Sequence, residues 1–397
     1  MANNNKHTGP NVPALRFPEF SGEWEKMSLQ DCCSDFSYGL NAPAKAYDGV
    51  NKYIRITDID ENTSVYKSDD PVSPDGLLSD EYLVNENDIL FARTGASTGK
   101  TYLYNQNDGR LFYAGFLIKA NVNNNCDPYF IFSQTKTQSY RRWVEIMSTR
   151  SGQPGINSQE YASYPLYVPS KEEQEKIALL LRGLDKRILV QSKIIEELTT
   201  LRSALLEKVF QVSNPTLEVG AIAHQTSERN KLCRYSNVLS VSNRFGFINQ
   251  SEQFEDRNVA SDDVRNYKVV HRGDFAYNPA RINVGSIAML KNFESGIVSP
   301  MYICFQVDDT IVDPSFFELF LETKAFKDEM EIRLEGSVRR CLSFEALCEI
   351  HLPHPALLVQ RSISDKIGNI SSKIKLEDRI LRAYIRQKEW LLRQMFI

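Results

Sequence analysis

The chain has 397 residues, 42% hydrophobic and 25% charged, with a net charge of −4. That is the make-up of an ordinary globular protein with room for two or three domains, and it gives no bulk attraction to nucleic acid. No apolar run approaches the ~20 residues of a membrane helix. The start, MANNNKHTGPNVPALRFPEF, lacks a signal-peptide core. Seven cysteines without a CxxC spacing (32, 33, 126, 233, 304, 341, 348) argue against a disulfide frame or zinc site and fit free thiols in a reducing cytoplasm.

In chain order, residues 1–22 read as a loose tail, with the fold beginning near Trp24. Residues 23–168 read as a strand-rich domain of β-branched and aromatic runs (KYIRITDI, NDILFAR) between turn signals. Within it RTGASTGKT, Arg93 to Thr101, imitates a phosphate-binding loop. Only Ala96, Ser97 and Thr98 separate its two glycines, however, where that loop needs four residues. The run after Thr101 also reads as strand, turn, strand rather than helix. Asp127-Pro128 then opens a helix, with Asp as N-cap and Pro at the first helical position. Asp58–Asp88 holds ten Asp/Glu against one Lys, whereas Gln360–Ile397 holds nine Lys/Arg against four Asp/Glu, so a basic face beside an acidic one is possible.

A helix over 169–212 comes next, with a seam at Ile177, Leu181, Leu184, Ile188, Gln191, Ile195, Leu198, Arg202, Leu205 and Val209. This 3.5-residue period predicts a coiled coil. A second strand-rich domain over 213–353 precedes a second helix over 354–397. Adding 186 to the first seam gives Ile363, Ile367, Ile370, Ile374, Glu377, Leu381, Tyr384, Lys388, Leu391 and Met395. The polar interruptions recur in place, Gln191 with Glu377 and Arg202 with Lys388. The same offset takes Asp88 to Asp274, Gly99 to Gly285 and Asp127-Pro128 to Asp313-Pro314. The chain is therefore written twice. The expected class is α+β: two mixed, strand-rich domains separated by two long helices that pair as an antiparallel coiled coil, with internal pseudo-two-fold symmetry. A helix of about forty residues is roughly 60 Å long, so a domain is expected at each end of the pair. Such a layout suits a ligand with two half-sites, and DNA is the usual one.

The sequence resembles the specificity subunits of type I restriction–modification systems. The resemblance covers nearly the whole chain. It rests on LRFPEFSGEWE (15–25), YIRITDI (53–59), NDILFARTGASTGK (87–100), GINSQEYASYPLYVPSKEEQEKIALLL (155–181) and NVLSVSNRFGFI (237–248), together with the duplicated layout. It implies a protein without catalysis of its own. Each domain would be a target-recognition head reading one half of a split DNA sequence, and the heads diverge enough to imply an asymmetric target. The helices would set the spacing and dock two modification (methyltransferase) subunits, which bring S-adenosylmethionine. Restriction/translocase subunits would bring ATP and Mg. Cytoplasmic location is expected from the free thiols.

Arg and Lys pair with guanine, and Asn and Gln with adenine, although most protein–DNA hydrogen bonds go to phosphate and sugar. Candidate contacts in the first head are Arg93, Thr94, Ser97 and Lys100 on the loop, Arg141, Arg142 and Arg150 on or after a helix, then Gln153 and Asn157. In the second head they are Asn243, Arg244, Arg281, Asn283, Ser286, Arg339 and Arg340. The alternatives are a self-contained DNA methyltransferase and a DNA-independent scaffold. DPYF at 127–130 imitates an amino-methyltransferase site but lacks the second proline. HLPH at 351–354 lacks a third ligand, and no metal site is expected. Trp24, Trp143 and Trp390 read as core or helix-packing residues.

Overall fold

The computed structural model describes residues 11–61, 63–149, 155–211, 216–243, 245–250, 263–336 and 340–397. The chain divides into two units: the residues up to Ile194 together with Glu377–Ile397, and Ile195–Leu376. The mixed α+β class expected from the sequence is the one adopted. Among the described residues, no helix is long and apolar enough to cross a membrane.

In the first unit four strands form an antiparallel sheet in the order Cys33–Tyr38, Leu117–Val122, Asp88–Ala92, Thr101–Leu103. The strand Asp88–Ala92 is buried throughout, which is why it reads as an unbroken apolar run. Its side chains alternate between two cores. Ile89 and Phe91 join Trp24, Phe130 and Tyr161, while Leu90 and Ala92 join Ile54, Leu111 and Tyr113. Asp88 at its start is 2% exposed and accepts from Asn121 Nδ2 (2.7 Å) and the Asn85 amide (2.7 Å).

In the second unit the sheet runs Ala223–Thr226, Ile303–Val307, Phe275–Tyr277, Ile287–Met289, also antiparallel. The strand order matches that of the first sheet, and the strands starting at Leu117 and Thr101 recur 186 residues on at Ile303 and Ile287. The hydrogen bonds repeat as well. Asp127 caps Pro128–Gln134 by accepting from the Phe130 amide, and Asp313 caps Pro314–Glu322 by accepting from Phe316. The Asp127 amide donates to buried Gln174 at 2.9 Å, and the Asp313 amide to buried Gln360 at 2.9 Å. Thr137 and Thr323 cap the next helices, Gln138–Ser148 and Lys324–Arg333. Each buried glutamine is used at both ends: its amide nitrogen donates to Pro169 O or Pro355 O. Both pin the start of a long helix to the domain before it.

The long helices are Lys171–Gln211 and Leu357–Met395. Within the first unit they run antiparallel: Asp185 pairs with Lys388 at 2.5 Å, and Gln191 donates to the Glu377 carbonyl (3.2 Å) and carboxylate. The end of the second helix enters the domain core, where Phe396 stacks on Phe130 at 5.3 Å and meets Trp24 edge-on. Within the second unit Arg202 Nε donates to Ser371 (2.7 Å), and Arg202 also grips Glu322 with two nitrogens (2.8 and 2.9 Å). There Phe210 stacks on Phe316 at 4.8 Å, the counterpart of Phe396 on Phe130.

Of the seam positions, Ile177, Leu181, Leu184, Ile188, Ile367, Leu391 and Met395 are buried, and Ile195, Leu198, Val209, Ile363, Ile370, Ile374, Leu381 and Tyr384 are partly buried. Leu205 departs from the expected seam. It is 36% exposed, while Leu206 next to it is 4% exposed and packs with Phe210. A straight helix of 3.6 residues per turn drifts about 20° per heptad against a 3.5-residue stripe, and by the last turns the drift has moved the buried face one residue on.

Candidate nucleic-acid interface

In both units a short loop leaves the central strand of the sheet. In the first it runs from Arg93 to Lys100 through a 3-10 turn at Gly95–Ser97, and the chain then enters the strand Thr101–Leu103. The loop opens no helix, so the phosphate-loop reading has no structural counterpart. Gly99 sits at φ +90° with its Cα face against the helix Gln138–Ser148; a Cβ there would lie 2.7 Å from Val144 Cγ1. Tyr140 Oη donates to Gly99 O (3.1 Å), and the Gly99 amide donates to Tyr161 Oη (3.1 Å). In the second unit the loop after Phe275–Tyr277 holds a 3-10 turn at Ile282–Val284 and ends on Gly285 at φ +85°. Both loops thus need a glycine at the same repeat position to return the chain to the sheet.

The candidate residues fall into distinct surroundings. Arg93 is half-buried, with its guanidinium 4.7 Å from the ring centre of Tyr38, a stacking that fixes its planar fork. Desolvation opposes ionisation of the Tyr38 phenol, but the Ser158 amide donating to its oxygen and the Arg93 charge together bring it below the ordinary phenol range. Thr94 bridges to Gly155 through its backbone, and the Ile156 amide donates to Arg93 O. Ser97 is half-buried in the turn. Lys100 is tied to Glu61 at 2.7 Å, and that pairing holds the Glu61 carboxyl below its usual range. Arg141 and Arg142 are exposed on Gln138–Ser148, with no carboxylate partner among the described residues. Asn157 serves as N-cap of Ser158–Ala162, accepting from the Glu160 amide at 2.9 Å. Arg150 and Gln153 lie outside the described residues.

In the second unit Asn243, Arg281 and Asn283 are exposed around the loop, and a Cβ on Gly285 would lie 3.4 Å from Asn243 Cβ. Ser286 is buried at 4% and donates to Val241 O (3.0 Å), so it closes the loop from inside. Arg340 is exposed and held to Glu331 by two hydrogen bonds of 3.0 and 2.9 Å. Arg244 and Arg339 lie outside the described residues. Of the imitations, Asp127 is spent as a helix cap, and His354 Nε2 lies 3.2 Å from Ile311 O. Trp24 is core, Trp143 packs against Tyr140, Tyr161 and Tyr164, and Trp390 is 49% exposed on the second long helix.

The first unit therefore brings Arg93, Thr94 and the 155–158 segment together beside Tyr38, while Lys100 points to Glu61. Sequence reasoning passed over Tyr38. It ends the strand Cys33–Tyr38 two residues after Phe36, so in sequence it reads as a second core aromatic of that strand, whereas it is 40% exposed.

Residues 21–200 match a type I restriction modification DNA specificity domain. The chain is 23% identical over 334 residues to the type I restriction enzyme MjaVIII specificity subunit of Methanocaldococcus jannaschii, covering 76% of each protein. Its fold is similar to that of a type I restriction–modification system S subunit from M. genitalium, with a TM-score of 0.63 at 17% identity over 97% of this chain and 99% of that one. It is also similar to a chain from a structure describing complex assembly and conformational transition of a type I R-M system, with a TM-score of 0.51 at 14% identity over 93% and 96% of the two chains.

Proposed function

We propose that this chain is a DNA-recognition protein of the type I restriction–modification specificity kind, because residues 21–200 match a DNA specificity domain of such systems and the chain is similar to a type I specificity subunit, and that its two domains are two heads reading the two halves of a split, asymmetric DNA target. The observation that carries this reading is the pair of loops. Residues 93–100 and 279–286 leave equivalent strands and end on equivalent positive-φ glycines, yet they present different side chains. Equal scaffolds with unequal loops fit two readers of different base clusters. Arg93, Thr94, Ser97, Arg141 and Arg142 are the candidate contacts of the first head, with Lys100 available when DNA displaces Glu61. Asn243, Arg281, Asn283 and Arg340 are those of the second.

The chain performs no chemistry itself in this reading. Methyl transfer belongs to modification subunits carrying S-adenosylmethionine, and cleavage to restriction subunits using ATP and Mg; both dock on this scaffold. The paired helices set the spacing between half-sites, and the polar layers at Asp185–Lys388, Gln191–Glu377 and Arg202–Ser371 fix their register. The test is to replace residues 23–168 by the first head of another family member and map methylated bases in cells with the complete system. One half of the motif should change and the other stay. A change in both halves, or in neither, contradicts independent reading by two heads.

A further inference from the structure

The segment YIRITDI lies beside the first loop and has a counterpart in the second head. In the first head the strand Lys52–Ile54 pairs in parallel with Leu111–Tyr113, Lys52 lying opposite Leu111. In the second head Val238 pairs in parallel with Ile297, and each of these is 186 residues on from its equivalent. That register puts Thr57 at the repeat position of Asn243, and Arg55 at that of Val241. Thr57 and Asn243 are both exposed, but Val241 is buried where Arg55 is only half-buried. Each segment stands next to its loop. A Cβ on Gly285 would lie 3.4 Å from Asn243 Cβ, and Glu61, four residues after Thr57, holds Lys100 at 2.7 Å. Asn243 is a candidate contact of the second head, and residues 55–57 occupy the same place in the first.

Arg55 is held from behind. Its Nε donates to Asp58 Oδ2 and its Nη2 to Asp58 Oδ1, both at 2.8 Å, and its backbone amide donates to the same carboxylate at 2.9 Å. The Asp58 side chain is 14% exposed and that of Arg55 39%. These bonds occupy one edge of the guanidinium. Both hydrogens of Nη1 and one of Nη2 remain, and no other hydrogen bond takes them among the described residues. That outer edge is the fork that pairs with O6 and N7 of guanine. Because the fork is fixed in advance, little side-chain freedom is lost when it is used. The space in front of it is open. Arg55 lines a cavity of about 280 Å³ with Asn41, Thr57 and Phe116, and no carboxylate is among the lining residues. The cavity adjoins the Arg93 site: Phe116 O accepts from the Arg93 amide at 3.1 Å, and Tyr38, on which Arg93 stacks, is two residues before Leu40 in the cavity wall. Of the acidic stretch that begins at Asp58, Asp58 itself is spent on Arg55 and Glu61 on Lys100.

We infer that Arg55 is a specificity-determining residue that reads a guanine of the first half-site through its outer edge, with Asp58 as the positioning residue behind it. This inference rests on the first domain being a DNA-reading head. The test uses the complete complex and measures competition among duplexes that vary one base at a time, at several salt concentrations. Arg55→Ala should lower discrimination about tenfold at one G·C pair of the first half-site and leave the other positions as they are. Arg55→Lys keeps the charge but not the planar fork, and it should lose part of the discrimination at that same pair. Asp58→Asn should weaken discrimination there too, and should add nothing in the Arg55→Ala background, because it acts only through Arg55. Unchanged discrimination at every position overturns the inference. So does equal weakening of all duplexes with a salt slope reduced by about one unit, the mark of a phosphate contact. An Asp58→Asn loss that persists in full beside Arg55→Ala overturns the positioning role. If the unaltered complex shows no base preference in the first half-site, the two-head reading itself fails; if it shows one and the Arg55 variants discriminate equally well, only this inference fails.

Discussion

Gly99→Ala tests whether the first loop is held in place by the helix behind it. Two costs are expected. Gly99 has φ +90°, a conformation that costs an L-residue about 1–2 kcal/mol. The new methyl would also lie 2.7 and 2.9 Å from the two γ-carbons of Val144. Overpacking of this kind costs about 1–3 kcal/mol, so the whole change should cost roughly 2–5 kcal/mol. Gly95→Ala is the control. Gly95 has φ +73° but nothing within 4 Å of its Cβ position, so only the backbone part applies. Val144→Ala added to Gly99→Ala, compared with Val144→Ala alone, should recover most of the steric part, since only Val144 Cβ at 3.3 Å remains close, and leave the backbone part. The three tryptophans, Trp24, Trp143 and Trp390, all lie in the first unit, so their fluorescence during urea unfolding of the full chain reports on that unit alone. Equal losses for Gly95→Ala and Gly99→Ala, or no rescue by Val144→Ala, would refute the packing of this loop on Gln138–Ser148.

In the assembled complex, Lys100→Ala should weaken all duplexes alike and reduce the salt slope by about one unit if Lys100 turns from Glu61 to a phosphate. An unchanged slope means the lysine stays with Glu61. Arg93→Ala should cost about 1–3 kcal/mol and relax one position of the first half-site; uniform weakening would reassign it to the backbone. Four residues inserted near Gln191 lengthen that helix by about 6 Å and rotate it by roughly 40° net. The methylated motif should then gain spacer or disappear, and an unchanged spacer contradicts the helices as the ruler. Desolvation raises the pKa of Asp88 above the ordinary carboxylate value, outweighing its bonds from Asn121 and Asn85. Folding therefore favours the protonated form. Its contribution is full below the unfolded carboxylate pKa and is lost as pH rises through the raised folded one. Relative to Asp88→Asn, the native chain should gain stability as pH falls from neutral through that window, and a flat difference in urea midpoints would contradict it.

The duplication was legible because it is carried by spacing. Asp127-Pro128 and Asp313-Pro314 are local capping signals, and the structure adds that each cap is tied to a buried glutamine, Gln174 or Gln360, 47 residues on. That tie is invisible in sequence, because a buried glutamine looks like any surface one. The seam was legible from Ile177 to Ile188, where every apolar position is buried, and it was misplaced at Leu205, where Leu206 takes the core instead. The candidate interface was less legible. Asn157 is a residue type that both pairs with adenine and caps helices, and only the fold shows it capping Ser158–Ala162. Ser286 was named from its place in the loop, but its hydroxyl points to Val241 O. Tyr38 was passed over because aromatic residues in strand-rich domains are normally core, whereas this one is 40% exposed at the end of its strand. The chain turns directly after it, where Gly39 packs so closely on a segment far away in sequence that a Cβ would lie 2.3 Å from Ala114 O.

The central claim, that this chain supplies the sequence specificity of a DNA-modifying complex, is tested most directly by mapping methylated bases across the genome of cells with and without it. The account predicts a split motif of two unequal halves that is methylated when the chain is present and unmethylated when it is deleted. A motif that persists without the chain, or a methylated sequence with no second half, would contradict it.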